Sequence, residues 1–133
     1  MIPFDALPEA VLAAMRAHAA FDYPLEACGV VVQTAAGCVA VPCRNVDPAP
    51  THGFYIDPRD VLALAEREAA GEPLVAIYHS HCDSPATFSP RDRAYAATRP
   101  DVLHLVLCVT ARGVVALRAY DAAGAAIEAA VPA

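Results

Sequence analysis

The chain has 133 residues, 57% hydrophobic and 18% charged, which fits one compact domain over residues 1–133, able to bury about two thirds of its unfolded surface without disulfides. That balance excludes intrinsic disorder, and no self-similar period points to a repeat array. Nine basic residues, all Arg and scattered, stand against fifteen acids for a net charge of −6, so a nucleic-acid footprint is excluded.

In chain order, the opening MIPFDALPEA carries early acids and no basic segment, so it does not read as a signal peptide. A first helix is predicted over Pro8–Ala20, with Pro8 in its first turn and Val11, Leu12, Met15 and Ala19 on one face. Cys28–Gln33 and Cys38–Pro42, separated by Thr34-Ala35-Ala36-Gly37, read as a β-hairpin. Residues 44–53, with Pro48 and Pro50, form a loop, and a short strand is expected at Phe54–Ile56. Asp57 as N-cap and Pro58 at the first helical position open a second helix that stops at Gly71. Leu74–Tyr78 reads as a buried central strand, and Ser89-Pro90-Arg91-Asp92 opens a third, short helix. Strands follow at Val102–Val109 and Val114–Tyr120, with a weaker one near Ala126–Val131. The run Val102–Val109 is the longest apolar one and His104 interrupts it, far short of the roughly 20 residues of a bilayer span. Strands and helices mixed in this way give an α/β (α+β) sheet domain, expected in the cytoplasm.

The five cysteines (Cys28, Cys38, Cys43, Cys82, Cys108) are odd in number and form no CxxC pair. They read as small buried hydrophobes in a reducing compartment, Cys82 excepted, which lies in the polar segment after the central strand.

That segment carries the chemistry. In His79-Ser80-His81 the alternation of an extended chain puts both imidazoles on one face and Ser80 on the other, at the C-terminal end of a buried strand. Two imidazoles so placed can hold one metal ion. A hydrolytic zinc site needs a third protein ligand, and Asp92, in the first turn of the next helix, can fold back to supply it. Such a site acidifies water to a pKa of about 7 and polarises a carbonyl, which amide hydrolysis requires. Ser89 through Asp92 is also a capping box with an acid in the Glu position, a role compatible with ligation. The joint spacing HxH-x7-S-xx-D arises by chance with a probability on the order of 10⁻⁴.

With Glu26 upstream in Pro24-Leu25-Glu26-Ala27-Cys28-Gly29, the HSH-x7-S-xx-D string resembles the JAMM/MPN-type zinc metallopeptidases, in their compact prokaryotic form. The likeness takes in the first helix, the PLEACG segment, the FYIDP run and the metal motif. It implies an MPN/JAMM-like mixed β-sheet with helices packed around it, related in style to the cytidine-deaminase architecture. It implies one zinc ion on His79, His81 and Asp92. Glu26 would be the general base that takes a proton from the attacking water and passes it to the leaving amine, and Ser89 would hydrogen-bond the oxyanion. Glu26 lies among Leu25, Ala27 and Cys28, and partial burial there would raise its pKa toward a useful range.

The resemblance further implies a peptidase or isopeptidase acting after the C-terminal Gly-Gly of a ubiquitin-like or sulfur-carrier protein, with short connections that suit trimming or cysteine release better than polyubiquitin editing. Cys82 departs from the pattern, where Pro is frequent. It reads as a spectator thiol, His18 and His104 as structural residues, and His52 as a candidate lining of the groove. A cell-wall or phage-tail peptide hydrolase and a metal-free MPN scaffold are the alternatives. A zinc deaminase lacks its HxE and PCxxC signatures here. Oligomeric state is not legible.

Overall fold

A computed structural model describes residues 1–131, with side chains through residue 127. A 3₁₀ turn at Phe4–Ala6 leads into α1 (Glu9–Asp22), β1 (Cys28–Thr34), β2 (Gly37–Cys43), α2 (Pro58–Ala69), β3 (Leu74–Cys82), α3 (Pro90–Ala96), β4 (Leu103–Thr110), β5 (Gly113–Tyr120) and β6 (Ala126–Val131). The strands form one sheet in the order β2-β1-β3-β4-β5-β6. Only β3 and β4 run parallel, joined by the crossover through α3. The fold is α/β, as the sequence leads one to expect. Among the described residues no helix is long and apolar enough to cross a membrane.

Period-2 alternation divides the sheet between two cores. On one face α1 lays Val11, Leu12, Met15 and Ala19 over Val31, Ala76, Tyr78, Leu105 and Leu107. On the other, Leu64 of α2 and the loop residues Phe54 and Ile56 cover Cys28, Val30, Val32 and Ile77. At roughly 1.5–3 kcal/mol per fully buried aliphatic side chain, these two layers hold the sheet between helices. His79 belongs by alternation to the Ile77 face, so the site forms on the α2–α3 side. Gly29 stands opposite Tyr78, and a Cβ there would run into the Tyr78 ring. Bare backbone therefore lets the fully buried Tyr78 lie across β1 and reach His18 Nδ1 at 2.6 Å.

Three local expectations shift. Pro8 is the N-cap of α1 rather than its first residue, and the helix runs on to Asp22. β3 extends beyond Tyr78 to Cys82, because His79–Cys82 pair with Val106–Val109 of β4; both motif histidines therefore sit on a strand. Phe54–Ile56 is no strand but a single bridge between Asn45 and Ile56. Its backbone is shared between main chain and side chain: Val46 N donates to Tyr55 O at 2.8 Å, Asn45 Oδ1 accepts from Tyr55 N at 3.0 Å, and Asn45 Nδ2 donates to the adjoining Gly53 O at 3.0 Å.

Candidate metal centre and its groove

His79 and His81 emerge from the C-terminal end of β3, where the parallel β3–α3–β4 crossover brings the first turn of α3 back over the strand. Ser89 caps that turn: its hydroxyl accepts from Asp92 N at 3.0 Å, and Ser89 N donates to Asp92 Oδ2 at 2.9 Å. The capping box fixes the Asp92 rotamer. As a result His79 Nε2 and His81 Nε2 lie 3.1 Å apart with the carboxylate across both, Oδ1 3.1 Å from His79 and Oδ2 3.2 Å from His81. His79, His81 and Asp92 are also the group whose donor atoms all lie within 4.8 Å of one another.

This donor set fits zinc. Ligands at 2.0–2.1 Å in tetrahedral array stand about 3.3 Å apart, close to the spacings here. His81 Nδ1 lies 2.8 Å from Pro85 O; a carbonyl only accepts, so Nδ1 carries a proton and Nε2 can offer its lone pair. His79 is braced by the Phe54 ring stacked on it at 4.4 Å. Burial holds His79 below its ordinary pKa, against the pull of Asp92. His81 is also penalised by burial, but hydrogen bonding to Asp92 and Pro85 O wins and its pKa rises. Burial opposes ionisation of Asp92 as well, yet the hydrogen bonds from both imidazoles hold it well below the usual carboxylate range.

Glu26 comes from a distant part of the chain. In the β1–β3 register Cys28 faces His79, so two steps further Glu26 stands beside His81. Ser80, pointing away from the metal face, secures this: its hydroxyl accepts from Ala27 N at 2.8 Å, and Ser80 N donates to Ala27 O at 3.0 Å. Glu26 is 6% exposed. Burial pushes its pKa up to about 7, with His81 pulling the other way. Glu26, His81, Ser89 and Asp92 share one groove of about 540 Å³. Ser89 Oγ accepts from Asp92 N, which leaves its own proton free to donate.

Thr51, His52, Gly53 and Phe54 line one side of the groove, at the end of the segment expected as a loop over 44–53 with His52 as a candidate lining. Pro50 O accepts from Glu26 N at 2.7 Å, and Asn45 Nδ2 donates to Glu26 O at 2.9 Å, so the loop grips the backbone of Glu26 from both sides. Buried Asp47 accepts from Ala49 N at 2.8 Å and pairs with Arg91, the residue before Asp92. The Arg91 guanidinium lies against Gly53, where a Cβ would collide with it. Ala49 N and Arg91 together hold the Asp47 carboxyl below its ordinary pKa. Asn45, Asp47, Ser80 and Arg91 were not singled out by the sequence; the short polar side chains in a Pro-containing loop were the only signal for the first two.

Other expectations resolve by position. Cys82 lines the groove but lies outside the donor cluster, and burial pushes its thiol up to about 11, so it carries a proton at neutral pH. The five cysteines are unpaired. His52 lines the groove. His18 is engaged by Tyr78 and by Asp22 at 3.0 Å. Buried His104 lies 2.9 Å from Arg99 O through Nε2, and burial keeps its pKa low.

Comparison with known proteins gives the family of the chain. The chain is 41% identical over 81 residues to tail tip assembly protein K of Escherichia phage N15, covering 61% of this chain and 32% of the relative. It is 38% identical over 87 residues to a probable TtuB-protein conjugate cleaving protease of Thermus thermophilus, covering 65% and 59%. It is 38% identical over 102 residues to the CysO-cysteine peptidase of Mycobacterium tuberculosis, covering 73% and 67%. The chain thus spans about a third of the phage relative and somewhat over half of the Thermus one. In fold it is similar to a JAB1/MPN domain protein of Archaeoglobus fulgidus, with a TM-score of 0.55 over 89% of this chain and 90% of that one at 15% identity. The family model for prokaryotic homologues of the JAB domain matches residues 8–122, so the chain belongs to that family.

Proposed function

We propose that the protein is a zinc-dependent JAMM-type peptidase that hydrolyses the bond after the C-terminal Gly-Gly of a ubiquitin-like or sulfur-carrier protein. The observation that carries this reading is the convergence of His79, His81 and Asp92 beside a buried Glu26 whose pKa lies near neutrality. Three protein ligands of the His/His/carboxylate kind are the set of a hydrolytic rather than a structural zinc site. Bound there, zinc supplies a Lewis acid and lowers the pKa of water to about 7.

The chain's own residues divide the remaining work. Glu26, whose pKa burial raises toward neutrality, takes a proton from the attacking water and returns it to the departing amine. Ser89 donates its free hydroxyl proton to the substrate carbonyl oxygen as negative charge gathers on it. Residues 51–54 and 82–84 both line the groove, in which an extended tail would lie, and a tail of glycines has no side chains to exclude. The Thermus and Mycobacterium relatives bear names that speak of cleaving a TtuB-protein conjugate and of a CysO-cysteine peptidase, which favours carrier proteins as substrates here. Unpaired cysteines fit a reducing, cytoplasmic setting. The phage relative favours a second reading, a hydrolase of phage-tail or cell-wall peptides using the same centre.

The test is an intact-mass assay. Zinc-loaded protein and its Glu26→Gln variant are incubated with Gly-Gly carrier proteins extended by cysteine or a short peptide, and in parallel with muropeptides. Loss of the extension with wild type alone supports the proposal. Cleavage of muropeptides alone replaces it with the second reading.

A further inference from the structure

Beside the metal ligands lies a small, partly open pocket lined by Phe54, Ile77, His79, Phe88, Asp92, Tyr95 and His104. It offers about 10 Å³ to the centre of a water-sized sphere, close to the minimum that one water molecule occupies. Its walls are mostly aromatic or aliphatic, and two imidazoles look into it.

The state of each imidazole follows from its other nitrogen. His104 Nε2 lies 2.9 Å from the carbonyl oxygen of Arg99, which can only accept; Nε2 therefore carries the proton, and Nδ1 of the neutral ring is an acceptor. His79 turns Nε2 toward His81 and Asp92. As a ligand through Nε2 it must carry its proton on Nδ1, a donor. The parallel β3–β4 register sets His104 across from Ile77, one alternation below His79 on the same face of the sheet. The two histidines thus line one pocket of single-water size, one with a donor and the other with an acceptor left to satisfy.

We propose that His104 is a positioning residue for the metal centre: through one buried water it accepts the Nδ1 proton of His79, fixing the tautomer and orientation in which His79 Nε2 binds zinc. This rests on the zinc reading above and adds to it a supporting residue supplied by β4. A ligating His whose second nitrogen is held by such a partner binds metal more tightly, and loss of the partner typically costs 10- to 100-fold in affinity. Nε2 serves Arg99 O and Nδ1 is left for the water, so the two nitrogens of His104 have separable roles.

The experiment measures zinc affinity by competition with a chelating indicator for wild type, His104→Asn and His104→Gln, with circular dichroism of each metal-free protein as the check on folding. Asn places an acceptor where Nδ1 stood; Gln keeps a donor for Arg99 O and loses that acceptor. The proposal expects His104→Gln to bind zinc roughly tenfold or more weakly and His104→Asn to stay within about threefold of wild type. A merely structural role through Arg99 predicts the reverse order, and that order, or equal affinity for all three, overturns it while leaving the metal centre intact. Wild-type protein that takes up no zinc overturns both. Long-range ¹H–¹⁵N spectra of the zinc-loaded wild type give a readout without any variant: the proposal expects a protected Nδ1–H on His79, and a His79 bound through Nδ1 overturns it.

Discussion

The groove has two halves built in opposite ways. The ligand half is a single stretch from His79 to Asp92, in which a strand end, a short loop and a capping box set all three donors. The base half is assembled from afar: Glu26 reaches His81 only through the β1–β3 pairing, and residues 44–54 hold its backbone in place. Local construction makes the ligand half readable and robust. The base half depends on contacts from 19 to more than fifty residues apart, and there a small displacement should cost catalysis without costing metal.

The largest effects separate the halves outright. His81→Ala should abolish cleavage and zinc retention together, whereas Glu26→Gln should lower kcat by roughly 10²–10⁴-fold with zinc still stoichiometric; metal analysis alongside the mass assay distinguishes them. Zinc loss in Glu26→Gln would break the division. Ser89→Ala comes next and touches both functions of the cap. It should reduce kcat by up to about 10²-fold through the lost donor, and stability by about 1 kcal/mol through the lost N-cap, read from a thermal melt.

A smaller effect sharpens the base half. Asp47→Asn, which weakens the link between residues 44–54 and Arg91, should lower kcat roughly tenfold at nearly constant zinc affinity and speed amide exchange in that segment. The smallest is a pH effect. Glu26 titrates in the folded protein at about 7, above the ordinary value of 4.5. The folded state therefore binds its proton more tightly than the unfolded state, and ionised Glu26 subtracts stability as pH rises from 4.5 through 7. Glu26→Gln should raise the Tm of the metal-free protein at pH 8 by a few degrees, roughly 1 kcal/mol, and leave it almost unchanged at pH 4.5. In the zinc-loaded wild type kcat/KM should fall as pH drops through the titration of Glu26, which bound zinc shifts below its metal-free position, since a protonated Glu26 cannot act as base.

The same division explains what the sequence disclosed. Alternation placed His79 and His81 on one face, and the S-P-x-D pattern announced both a helix start and a ligand, since each is a matter of neighbours along the chain. The helix at Pro58 was equally plain: Asp57 accepts from Arg59 N at 2.9 Å, the N-cap its position suggests. Phe54–Ile56 misled because its apolar alternation is real but serves to bury Phe54 and Ile56, while its backbone pairs with residues 45 and 46 through a single bridge and the Asn45 side chain. Ser80, Asp47 and Arg91 stayed hidden because each acts on a partner far away in sequence. Glu26 was found through resemblance; its burial and its place beside His81 belong to the fold.

The most direct test of the metal centre is X-ray absorption at the zinc edge on the zinc-loaded protein. The arrangement of His79, His81 and Asp92 predicts a shell of nitrogen and oxygen alone at about 2.0–2.1 Å with the scattering pattern of two imidazoles. A sulfur neighbour at about 2.3 Å would mean that Cys82 is a ligand, and fewer than two imidazoles would mean that the His-Ser-His strand end does not hold the ion; either would contradict the account.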